Sequence, residues 1–123
     1  MKNLIALALF ASLPGLAQAQ TTWTGQNLSI SGNRTNGCDL RIVEVTHGGS
    51  MLSSLRFVVF NRATTAVRVN ADVTMTGNNQ RKSGPITGVI GANQQAALQG
   101  FYPFGGSLAG STVAIRFTGC SLT

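Results

Sequence analysis

Acidic side chains are scarce in this chain. Asp39, Glu44 and Asp72 are its only carboxylates, and His47 is its single histidine. Four such groups allow few positioned acid–base sets, so a hydrolytic or proton-transfer enzyme is not expected. Asp39 and Glu44 are also an odd number of residues apart, which on a regular strand turns them to opposite faces. His47, in "VTHGGS", is expected in a solvated turn. Cysteine is nearly as rare. Cys38 and Cys120 form no Cys-x-x-Cys and have no companion ligand nearby, which excludes a redox motif and a zinc site. Ser50 and Ser107 lie beside glycines without the Gly-x-Ser-x-Gly frame of a nucleophile elbow. "GNNQRKSGP" lacks the Gly-Lys-Ser/Thr spacing of a phosphate loop. No catalytic residue, cofactor or metal is therefore assigned.

The N-terminus carries Lys2, the apolar stretch "LIALALFASLPGL" and the small-x-small site Ala17-Gln18-Ala19. This is the pattern of a secretory signal peptide over residues 1–19, too short for the roughly 20 residues that span a bilayer. The exported product is expected to begin near Gln20. It holds seven arginines and Lys82 against three acids, a net charge of 8 − 3 = +5. In an oxidising compartment the two cysteines are most simply one disulfide. That bond closes a loop of 82 residues, for which chain entropy predicts about 4.5 kcal/mol. It also explains why a cysteine stands so near a chain end, where fraying is otherwise expected.

After residue 20 the apolar residues alternate, in short runs separated by Gly, Asn, Ser and Pro. In "VRVNADVTM" Val67, Val69, Ala71, Val73 and Met75 face one way, and Arg68, Asn70, Asp72 and Thr74 the other. "TVAIRF" (112–117) buries Val113, Ile115 and Phe117 and exposes Arg116. "LRFVVF" (55–60), apolar on both faces, reads as a central strand or one whose outer face meets a partner. "CDLRIVEV" (38–45) turns Cys38, Leu40 and Ile42 inward, then shifts by one to Val43 and Val45, which predicts a bulge or a twist. Strict alternation from Phe117 would send Cys120 outward, so Gly119 is expected to bend the strand end. "NLSI", "ITGVI" and "AALQGF" are weaker strands, and residues 20–37 form a polar, partly loose segment with or without a first strand. The sum is about seven short strands, with residues 38–123 as the domain: an all-β, antiparallel, Ig-like sandwich with one disulfide.

The stretch "LRFVVFNRATTAVRVNADVTM" resembles the strand–Asn turn–strand core of FxLYD-type Ig-like domains of bacterial exported proteins. Thr76-Gly77 stands where that group carries acidic and aromatic residues. The layout, with an early and a late cysteine, is also similar to the alphaproteobacterial curli chaperone. Both resemblances imply a small Ig-like module of the bacterial cell envelope.

What remains for function is the surface. Arg41, Arg56, Arg68 and Arg116 occupy predicted outward strand positions, and Arg81-Lys82 a long polar loop. Guanidinium is a planar fork for carboxylate or phosphate, so an arginine-bearing sheet face that docks an acidic partner is expected. Solvation of an outer face is the plainer account of the same residues. Phe101, Tyr102 and Phe104 cluster in "GFYPFGGSLAG", either as lids on the core or as an exposed recognition loop. The burial of Trp23 is left open. The expected function is non-enzymatic binding of an envelope or extracellular protein, as in assembly chaperoning, or of an anionic polysaccharide or lipopolysaccharide. A structural subunit of a surface appendage is the alternative. Nucleic acid is not expected, because no nucleic-acid-binding fold signature is present and the chain reads as exported.

Overall fold

The computed structural model describes residues 20–34, 37–50 and 52–122, so the expected signal peptide lies outside the described residues. Eight strands follow one another: β1 (Thr21–Thr22), β2 (Leu28–Ser31), β3 (Leu40–His47), β4 (Arg56–Asn61), β5 (Val67–Gly77), β6 (Gln80–Ile90), β7 (Gln95–Leu98) and β8 (Thr112–Leu122). They make two four-stranded sheets, in the orders β1-β3-β4-β7 and β2-β8-β5-β6. All pairings are antiparallel except β2 with β8, which is parallel. The expected all-β fold stands, with eight strands. These orders are not the ABED and CFG of an Ig constant domain, although the two-sheet architecture is shared.

The longest strands follow from period-two patterning. Val67, Val69, Ala71, Val73 and Met75 of β5 are buried together, and Val113, Ile115 and Phe117 of β8 meet them from the next strand. With Val45, Phe57 and Val59 of the other sheet, and Leu55 just before β4, they form a single apolar cluster, which joins the two layers. Full burial of each such side chain contributes about 1.5–3 kcal/mol. β4 is a central strand, as its two apolar faces predict.

The β5–β6 hairpin closes on Asn78 and Asn79, both left-handed (φ 53° and 58°), the conformation of a two-residue type I′ turn. Strand pairing therefore resumes at Gln80. Arg81 and Lys82, expected in a long loop, are strand residues of β6 instead.

The predicted bulge lies between Ile42 and Glu44. Val43 is its extra residue and is 48% exposed, so only Val45 returns to the core. A second register shift leaves Thr118 unmatched, one residue before the glycine expected to bend the chain. It brings Cys120 opposite Val69 and against the core. Cys38 and Cys120 are disulfide-bonded, with Cα atoms 6.4 Å apart.

Three polar side chains fix the ends of the sandwich. Asn61, fully buried, directs Nδ2 to the carbonyls of Thr65, Ile90 and Gly91, and its Oδ1 accepts from the Ala63 N–H. Trp23 is buried to 1% exposure, and its indole N–H reaches the Ser111 carbonyl (3.1 Å) and hydroxyl (3.2 Å). Residues 20–31 are thus ordered by β1, a short 3-10 turn (Gly25–Asn27) and β2. His47 ends β3 and is 3% exposed, not solvated. Its Nδ1 accepts from the Gly49 N–H (3.2 Å), which leaves Nε2–H to donate to the Ser53 carbonyl (3.0 Å). Both nitrogens are committed to shaping the β3–β4 connection.

Candidate functional site

The predicted arginine face divides in two. Arg41 and Arg56 stand on β3 and β4, whereas Arg68, Arg81 and Arg116 stand on β5, β6 and β8 of the other sheet. Each sheet covers one side of the core, so the two groups face opposite directions. The correction has a simple cause: alternation assigns a residue to the outside without saying which sheet's outside. Two of the cations are also already paired. Arg56 Nη1 lies 3.2 Å from Glu44 Oε2, and Arg116 Nη2 lies 3.2 Å from Asp72 Oδ2. Among the described residues, Arg41, Arg68, Arg81 and Lys82 have no ion pair.

The aromatic loop resolves into lid and surface. Phe101 and Phe104 are buried and close the core, which removes them as docking anchors, while Tyr102 is 50% exposed. Charge does not concentrate there.

It concentrates at the disulfide end. A cleft of about 310 Å³ opens where the edges of β2 and β3 face each other across the seam between the sheets. Ile30 and Ile42 form its apolar walls, and Arg34, Arg41 and Arg62 surround it, with Asp39 between them. Asp39 Oδ1 lies 3.4 Å from Arg34 Nε, and its Oδ2 lies 3.7 Å from Arg62 Nε. Three cations against one carboxylate leave a local charge of 3 − 1 = +2. The shared pairs are exposed and long, a class worth about 0–1 kcal/mol, so an incoming anion can recruit these guanidinium groups at small cost.

The backbone beneath them is braced. The Leu40 N–H donates to the Asn33 carbonyl (3.0 Å), and Asn33 Nδ2 donates to the Leu40 carbonyl (3.1 Å). The Arg62 N–H donates to the Asp39 carbonyl (2.9 Å), and Cys38 is bonded to β8. The cations therefore project from a fixed frame, which reduces the ordering cost of binding.

Of the predicted site residues, only Arg41 lines this cleft. Arg34 and Arg62 were missed because they come from separate turns that meet only in the folded chain. A signal was available: the dipeptide Asn-Arg occurs twice, as Asn33-Arg34 and Asn61-Arg62. In both, the asparagine side chain holds backbone carbonyls, and the arginine that follows turns to Asp39.

The three acids are each engaged by arginine, and no group of three or more His, Cys, Asp or Glu suited to a metal ion occurs among the described residues. No helix of the described residues is long and apolar enough to cross a membrane. Compared with family models, curated proteins and solved structures, the chain gives no significant match.

Proposed function

We propose that this protein is an exported, non-enzymatic binding module that takes an anionic partner in the cleft between β2 and β3. The observation that carries this reading is the gathering of Arg34, Arg41 and Arg62 around one carboxylate on a disulfide-braced frame. Guanidinium forks on a rigid support suit carboxylate, sulfate or phosphate groups. The net charge of the chain adds a long-range pull on the same partners. The commitment of His47 to loop geometry, and of Asp39, Glu44 and Asp72 to ion pairs, supports binding over catalysis. The disulfide and the likeness of residues 55–75 to FxLYD-type domains support an envelope location.

The test is a titration with polyglutamate and with a sulfated polysaccharide at rising salt. Binding is expected to weaken steeply with salt. The double charge reversal R41E/R62E is expected to weaken it by about tenfold or more. R116E, which disturbs a pair on the opposite sheet, is expected to change it by no more than about threefold. Equal effects of the two variants, or no anion binding at all, would sink the proposal.

A further inference from the structure

The cleft is lined by three consecutive residues of β3, Leu40, Arg41 and Ile42. Consecutive strand side chains point to opposite faces, so what faces the cleft is the edge of the strand itself. The direction of its backbone groups can be worked out from its neighbours. Leu40 turns both its N–H and its C=O away from β4, toward Asn33. The pairing of Leu40 with Asn61, Arg41 with Phe60 and Ile42 with Val59 is regular. By alternation Arg41 bonds β4, and Ile42 turns its N–H and C=O outward to the cleft. Among the described residues no turn, loop or side-chain hydrogen bond reaches these two groups.

The position beside them in the sheet is half filled. β1 pairs with β3 only at Thr21–His47 and Thr22–Thr46, and the Trp23 N–H then reaches the Val45 carbonyl. Beyond that point the chain leaves the row and crosses to the other sheet as β2. Among the described residues, the edge of β3 from Glu44 back to Arg41 has no neighbour strand.

Building on the anion-binding reading above, we infer that the partner is a polypeptide, and that a short extended acidic segment of it adds to the β3 edge in the row that β1 leaves. Main-chain bonds to Ile42 supply attachment, as in strand addition generally. Alternate side chains of the segment face Ile30 and Ile42 on one side and the arginines on the other, which selects an alternating acidic–apolar sequence. The bulge at Val43 bends the edge and limits the added segment to about four residues. A polysaccharide satisfies the arginines equally well and leaves the Ile42 amide and the apolar walls unused.

The experiment uses the wild-type protein and an eight-residue peptide of alternating Asp and Val. Two derivatives are N-methylated, one at every Val amide and one at every Asp amide, so that each blocks one edge of the strand without changing charge. The unmodified peptide is expected to bind and to slow hydrogen exchange at Ile42. One derivative should bind about tenfold more weakly or worse, and the other nearly as well as the parent. Equal effects of the two derivatives, whether none or a loss, would overturn strand addition while leaving anion recognition intact. Binding of a sulfated polysaccharide without binding of the peptide would overturn it in the same way. If neither ligand binds, the cleft reading fails with it.

Discussion

Along β6 and β7 the two sheets come into side-chain contact, whereas along β2 and β3 they stand apart around the arginine cleft. At the first edge Gly88 of β6 lies so close to Leu98 of β7 that a Cβ there would collide with it, and Gly84 sits beside the Phe101 ring. β6 is also blunted as a pairing edge. The Thr87 hydroxyl reaches the Val69 carbonyl on the β6 side, while those of Thr112 and Thr118 reach the Thr76 and Asn70 carbonyls on the β8 side. Alternation then turns Asp72 toward β8, so its partner Pro85 faces its missing donor to the open edge. At the second edge Ile42 offers a complete N–H and C=O pair beside unpaired charge. One side of the sandwich is sealed and guarded, and the other is braced and left open. The eleven-residue β6, the longest edge strand, is the sealed one. That argues against an appendage subunit polymerising through it.

The largest expected effect comes from removing the brace. The variant C38S/C120S should lose about 2–5 kcal/mol, which for a domain of this size lowers Tm by some 15–30 °C. If the open edge depends on the disulfide as its geometry implies, residues 37–42 should lose hydrogen-exchange protection well before β6 does. Uniform loss across both edges would break the contrast.

Gly88→Val attacks the sealed edge. The added side chain must displace Leu98, and the overpacking should cost about 1–3 kcal/mol, read as a shift of the urea midpoint. Protection along β6 and β7 should fall while polyglutamate binding at the distant cleft stays within about twofold of wild type. A coupled loss of binding would show that the two edges are not independent.

How much of this was legible in the sequence depends on the range of the interaction. Period-two alternation is local, so the faces of β5 and β8, the central place of β4 and the bulge near Val43 could be read directly. The disulfide was legible because only two cysteines were present to pair. Sheet membership is not local, and the four outward arginines assigned to one face were therefore divided between two. The cleft needed Arg34 and Arg62 from turns far apart in the chain, joined through Asp39. His47 failed for a related reason. Two following glycines signalled an exposed turn, but the imidazole folds back to hold that turn from inside.

The smallest change in stability, and the sharpest test of the guarded edge, is Pro85→Thr. Threonine suits a strand, and the site pairs with Asp72 without needing a donor from residue 85, so folding should change by less than about 1 kcal/mol. What changes is the edge. A restored N–H gives β6 an outward donor in the middle of its length, and two copies can then pair edge to edge. Sedimentation velocity across a concentration series should show a monomer for the wild type and reversible association for the variant. If the variant remains monomeric, proline is not the guard. The positive charge of Arg81 and Lys82 near the strand's start would then have to keep copies apart, and the triple variant P85T/R81S/K82S should associate where P85T does not.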